Sequence, residues 1–533
     1  MITLLLACAD PVPVEATPAT ELVSIAVEPT DLTVVTGLEG ADPIQFVAVG
    51  TNAKGEEQEL GTVEWTVSNR SAGEIDEDGL FSPAAGNGGV TWVIARLDGV
   101  EGTSTLTVLF EDELNGEGLD TTPFETGTIA GEQEFWLYPE DGVSLPRNTP
   151  AIRFNWGNPG GATMYRLRFV SAVTDISVYT TATSWTADED TWLNLASTNA
   201  GGDVTVRLTA ATDAGLVGAP ERTLNVNRMD GRGSILYWST SAAGILEIPY
   251  GSTQPSDFMS QSSTGRCLGC HVVSRDSSKI AFTWDGGDGG VGLARVDDKS
   301  PLPGDQSRPA NFKTWAPDGD MLITTYIGQY SLLDGDGNFL WDIPHTGQLT
   351  HPDWSPDGDL IVGVETAGHS ADWTFSGGKL VLMDHLGNGI FSDTRVLYEA
   401  AAGYKCYYPT FSPDGVWIAF NVSTGDGYDD SDAQLWVVDR ENKHGAIRLG
   451  AADMADGMTN SWVRWGPEPD DDIFWLAFSS KRSYGDVVSG SPQIWVSAFD
   501  PELAFDGQDP SYPAFWLPGQ NSGQSNHIPV WIE

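Results

Sequence analysis

Three near-copies of one short unit constrain this chain more than anything else in it: WAPDGDMLIT (315–324), WSPDGDLIVG (354–363) and FSPDGVWIAF (411–420). In each, an apolar residue ends one strand, a Pro-Asp-Gly turn follows and an apolar strand begins. Proline presets φ, aspartate bonds the backbone two residues on, and glycine accepts positive φ, so the tripeptide instructs the chain to turn. VSRDSSKIAF (273–282) and WGPEPDDDIFWLAF (465–478) are degenerate copies, and GKLVLMD, AQLWVVD and PQIWVSAFD supply later strands. Units of several strands recurring at roughly 40–60 residues are the mark of a ring of small sheets.

The five turns point to six blades. NHIPVWIE (526–533) reads as a first strand without its successors, whereas GSILYWSTS and GILEIPYG (within 233–251) read as later strands without a first. Pairing them completes a sixth blade and leaves no open sheet edge. These motifs resemble the WD40-like (PD40) repeats of the TolB β-propeller family over residues 229–533. The amino-terminal α/β domain of that family is missing here, so its partners are not carried over.

Ahead of the repeats, residues 22–110 alternate apolar and polar in short runs broken by turn residues, the pattern of a β-sandwich. Pro29, the strand Phe46–Val49, Val63 and Trp65, Ile75-Asp76 and Gly79-Leu80-Phe81 resemble a bacterial Ig-like domain of group 2. Residues 111–134 are acidic and rich in Gly and Thr, and read as a linker. Residues 135–228 resemble a fibronectin III-like sandwich, with Trp156 in its core. The expected fold class is therefore all-β: two β-sandwich domains, then a six-bladed propeller.

Residues 1–21 include LLAC, with Cys8 in the place of the lipidated cysteine of a bacterial lipobox, and a Pro/Thr/Glu-rich tether behind it. This implies an outer-membrane lipoprotein, periplasmic or surface-exposed, attached to the membrane only through its lipid. The formal net charge of −48 argues against nucleic acid, whose phosphates it would repel. Nothing predicts an oligomer.

The chemistry-bearing motif is GRCLGCH (265–271). Cys267, Cys270 and His271 form Cys-x-x-Cys-His, the attachment pattern for haem c, in which two thiols capture the porphyrin edge and the imidazole binds iron. Counting back from the turn puts Cys270-His271 just before the innermost strand of the first full blade, with His351 and Tyr408 at similar positions later. His351 is the first choice of sixth iron ligand, ahead of His345 and Met259; Trp315, Trp354, Tyr407 and Tyr408 are candidate lining. A zinc site of Cys267, Cys270, His271 and Cys406 is the alternative, and a structural disulfide or free pair is the third. DGDGN (334–338) offers carboxylates to calcium but reads better as a hairpin turn. Two functions follow: electron transfer or redox and ligand sensing with a redox partner, or a non-enzymatic scaffold for proteins or glycans. No Gly-x-Ser-x-Gly elbow or phosphate-cradling loop supports an enzyme.

Overall fold

The computed structural model describes residues 21–455, 457–469, 472–487 and 490–533, so Cys8 and the lipobox lie outside the described residues. The chain divides into two compact units, the first formed by residues up to 113 with short pieces at 170–176 and 197–199. Within it, Val100–Leu114 buries Gly102, Ser104, Leu106, Val108 and Phe110 in strict alternation, as a strand with one face on a core must. That strand pairs antiparallel with Gly89–Leu97 and parallel with Leu32–Thr36. Leu22–Glu28 pairs with Val47–Asn52. Val27, Phe46, Phe81, Val93 and Leu106 close the core, with Trp65 packed against it.

The second unit carries residues 135–228, apart from 170–176 and 197–199, together with the repeats. Met164–Val170 alternates as expected, burying Tyr165, Leu167 and Phe169. Trp156 is fully buried, edge-on to Trp136 at 6.2 Å. Two features depart from the strand-and-linker expectation. A helix, Glu189–Thr198, buries Trp192 and Leu195. The 111–134 segment holds a short helix, Thr122–Thr126, and a strand, Ile129–Glu132, paired with Gly215–Gly218; its Phe124 finds a core of its own beside Tyr179 and Leu216. This part is fastened to the repeats by polar pairs: Trp516 N donates to Tyr138 Oη at 3.1 Å, and Arg153 meets Asp486 at 3.1 Å.

The repeats form a β-propeller. Among the described residues, antiparallel sheets follow one another around innermost strands β1 (Leu268–Val273), β2 (Phe312–Trp315), β3 (Gln348–Trp354), β4 (Lys405–Phe411), β5 (Ser461–Trp465) and β6 (Asn526–Ile532). Each of these strands packs on the next, and β6 packs on β1. β6 pairs with Ser234–Ser239, the closure expected of NHIPVWIE and GSILYWSTS.

The turns after β1, β3 and β4 share one hydrogen-bonding scheme. After β3, Ser355 Oγ donates to Asp357 Oδ1 at 2.5 Å and accepts from Leu360 N at 2.9 Å, while Gly358 takes φ 80. After β1 the sequence is Ser-Arg-Asp-Ser, yet Ser274 and Asp276 make the same bonds and Ser277 takes φ 55. In these three turns serine and aspartate carry the bonds, whereas after β2 Ala316 stands in the serine's place and Pro317-Asp318-Gly319 turns without it.

Candidate functional site: a plugged axis and its funnel

The innermost strands contain a repeated irregularity that sequence periodicity does not show. In β1 the ladder shifts between Gly269 and Val272, so Cys270 and His271 together face Phe282. The same two-against-one β-bulge sets His351-Pro352 against Gly363, Tyr408-Pro409 against Phe420, Trp462-Val463 against Phe478, and Ile528-Pro529 against Tyr237. The first residue of each bulge is left-handed: φ is 46 at Cys270, 49 at His351, 50 at Tyr408, 59 at Trp462 and 52 at Ile528. β2 alone among these strands runs straight, with Phe312 at the equivalent place.

These side chains converge on the axis and fill it. Phe312 lies 4.0 Å from His351, His351 lies 4.4 Å from Tyr408, and Tyr408 stacks on Trp462 at 3.9 Å. Ile528 belongs to the same buried cluster and Cys270 packs against it. A bulge also frees a carbonyl from its ladder. Lys313, from the straight strand, donates from Nζ to Cys270 O at 2.9 Å, to Thr283 Oγ1 at 2.7 Å and to Asn311 O at 3.0 Å. Its burial holds the ammonium down to about 8.

Cys270 and His271 thus lie inside β1, not before it as the turn-counting implied, and Cys267 immediately precedes the strand. Cys270 is a plug residue. Neither ring nitrogen of His271 reaches solvent, the imidazole faces the Leu236 main chain, and burial drives it down to about 3, with Lys313 and Arg464 adding to the effect. Cys267 is half-exposed, its Sγ 3.8 Å from Leu268 O. Burial raises both thiols, so they stay protonated at neutral pH. These residues do not fit a haem as the strand is packed: iron at His271 requires a porphyrin where the neighbouring sheet stands, and a thioether at Cys270 requires the plug to open.

The other candidate ligands are not gathered there. His351 is in the plug, buried and held neutral well below its ordinary range. His345 stands against Tyr330, whose N donates to its Nε2 at 3.4 Å, and Met259 lies in another core cluster. Cys406 is buried in β4, its thiol pushed up to about 12 by burial. Among the described residues no group of three His, Cys, Asp or Glu side chains is placed to hold a metal, so the zinc set is not assembled. Asp334 spends its carboxylate on Asp336 N and Asn338 in a hairpin turn. Trp315 lines the axis, Trp354 packs against His385 and Phe391, and Tyr407 is core.

Two residues beyond each plug position the strands turn a second ring inward: Val272, Thr314, Asp353, Thr410, Arg464 and Val530. On this side the axis opens into a funnel of about 480 Å³, whose lining begins at Val272 and excludes Cys267, Cys270 and His271. Its apolar wall includes Trp315, Phe411, Trp465 and the turn prolines. Three charges meet in it. Arg275 Nη2 donates to Trp354 O at 2.9 Å and lies 3.8 Å from Asp353 Oδ2. Asp353 also accepts from Phe411 N at 2.7 Å and from Thr314 Oγ1 at 3.4 Å. Arg464, with Nη1 on Val463 O at 2.8 Å, completes the set. Burial lifts the Asp353 carboxyl above its usual range against the pull of Arg275 and Arg464, and burial lowers both guanidinium groups against the pull of Asp353. Sequence reading missed Arg275, Asp353 and Arg464. The available signal was register: Arg275 stands where four other repeats have proline, and Asp353 and Arg464 stand where others have Val or Thr.

No family model matches the chain, and no curated protein matches it. Among solved structures it is similar to the β-propeller domain of Cps50 (Swd1) from Myceliophthora thermophila, at 12% identity and TM-score 0.30 over 44% of this chain and 65% of that one. It is also similar to the β-propeller domain of the trilobed protease of Pyrococcus furiosus, at 12% identity and TM-score 0.28 over 56% and 79% of the two chains. A chain of the mitotic checkpoint complex matches at 14% identity and TM-score 0.30 over 54% and 73%. These likenesses are slight, and the propeller assignment stands on the sheet topology of this chain.

Proposed function

We propose that the chain is a non-catalytic binding protein: a six-bladed propeller, carried on Ig-like and fibronectin III-like spacers and tethered to the outer membrane through Cys8. Its binding site is the axial funnel. One observation carries the proposal: the axis is filled at the level of Cys270 and opens into the funnel, where half-buried charges of both signs line a concavity of ligand size. A thermal-shift panel of anionic, cationic, zwitterionic and sugar compounds tests it. We expect at least one class to raise the Tm of the wild type and not that of Val272→Trp, which fills the funnel from its wall. No shift with any class, or equal shifts in both proteins, overturns the proposal.

Haem attachment is the second reading, favoured by the Cys-x-x-Cys-His pattern itself. Denaturing gel electrophoresis and haem staining of protein from cells competent in cytochrome c maturation decides it. We expect a colourless band; a stained band restores Cys267, Cys270 and His271 as the cofactor site.

A further inference from the structure

The charges in the funnel are ordered by depth, and that order specifies a ligand. Near the plug two guanidinium groups, Arg275 and Arg464, face one carboxylate, Asp353, which leaves one positive charge in excess. The carboxylate is already engaged by Phe411 N and Thr314, so it does not fully satisfy either guanidinium. Walls of Trp315, Phe411, Trp465 and proline keep the local dielectric low and the field strong. Farther out the sign reverses: Glu468 lines the rim, exposed, and Glu533 lies beside Arg232 at 3.9 Å, whereas the Asp276 carboxylate is spent on Ser274 and Ser278 within its turn. A plain anion gains at the bottom but is repelled at the rim and by the net charge of −48. A plain cation gains at the rim and is repelled below. A molecule with a carboxylate at one end and an ammonium at the other gains from both.

We infer that the funnel binds a zwitterion of the amino-acid or short-peptide class, its carboxylate held by Arg275 and Arg464 and its ammonium turned toward Glu468. Guanidinium groups suit a carboxylate because their paired N–H donors match its two oxygens. The apolar wall between the two charged levels receives an aliphatic side chain. This rests on the funnel being the binding site, and goes beyond it by naming the ligand.

Isothermal titration of the full chain with leucine, alanyl-leucine, alanyl-leucine amide and N-acetyl-alanyl-leucine tests the inference. Binding by leucine alone assigns an amino acid, and stronger binding by alanyl-leucine assigns a peptide. The amide is expected to bind at least tenfold more weakly than the free acid, and the N-acetyl form several-fold more weakly. Glu468→Gln removes the second difference and leaves the first. Arg275→Met weakens the free acid at least tenfold, with its Tm measured alongside because the change also removes the partner that Asp353 has at 3.8 Å; Arg464→Lys keeps the charge and retains part of the affinity. Equal binding by acid and amide, or no effect of Arg275→Met, overturns the inference. If neither leucine nor the dipeptides bind while another class in the thermal-shift panel does, this inference fails and the funnel remains a binding site. If nothing binds, both fail.

Discussion

Acid should unlock the axis through His271, and the size of the effect follows from its burial. The imidazole is neutral in the fold, held to about 3 against an ordinary 6.5, with Lys313 and Arg464 as the charged groups facing it. In the unfolded chain it takes up a proton as pH falls through 6.5, whereas in the fold it does not until about 3. The unfolded state therefore binds more protons across that window, and stability present above 6.5 is progressively lost below it. Between pH 7 and pH 5 this one side chain costs about 2 kcal/mol, and by pH 3 about 4 kcal/mol. His351, buried beside Phe312, Tyr408, Arg464 and His369, acts in the same direction. Urea unfolding followed by tryptophan fluorescence at pH 7 and pH 5 reads the loss, because Trp462 sits in the plug. The comparison is with His271→Leu, which keeps the bulk and cannot titrate. Its stability at pH 7 can move either way; its loss between pH 7 and pH 5 should be smaller than that of the wild type by about 2 kcal/mol. Equal losses in the two proteins would refute a neutral, buried His271.

Three further outcomes are expected. Gly363 faces the His351-Pro352 bulge, and a Cβ there would meet Tyr330 Oη at 2.3 Å; Gly363→Ala should break the Tyr330 to Thr350 O bond of 2.8 Å and cost about 1–3 kcal/mol in thermal unfolding. Tyr138→Phe deprives the buried Trp516 N–H of its acceptor and should cost about 1–3 kcal/mol, with faster protease cleavage near residue 138 as a second readout. Cys406→Ala should lower the Tm through a small core cavity while leaving zinc content, measured by mass spectrometry, at the wild-type value; zinc lost with the mutation would revive the four-ligand site.

The ring of sheets was legible because its turns are written in residues with local physics: Ser, Asp and Gly bond or bend within five positions of one another. Its closure was legible because NHIPVWIE and GSILYWSTS were each incomplete alone, and they do pair. The helix Glu189–Thr198 was not legible, since its apolar side chains serve a tertiary contact, Trp192 Nε1 reaching Thr149 O at 2.7 Å, that no local window contains. The funnel charges were hidden for a related reason. Arg275, Asp353 and Arg464 are far apart in sequence and meet only because the ring brings one turn and two inner strands to the same axis.

The Cys-x-x-Cys-His pattern can be taken apart into requirements of the strand that contains it. At the first bulge position the fold accepts Cys270, His351, Tyr408, Trp462 and Ile528 alike, so it asks for a side chain that fills the axis and for no particular chemistry. At the second position, three sheets carry Pro352, Pro409 and Pro529. Proline has no N–H to give, which means the ladder needs no donor there, and His271 sits where proline would serve as well. Cys267 immediately precedes β1, where Asp285 N donates to its carbonyl at 2.8 Å. Each member of the motif is thus placed by backbone geometry that other sheets achieve with different residues. The charged ring below differs in kind: other repeats fill the same positions with Pro, Val or Thr, so a guanidinium, a carboxylate and a second guanidinium in a half-buried funnel cost desolvation that the fold does not need for closure. A cost of that kind, borne where the axis is open, is what the proposed binding of a ligand would offset.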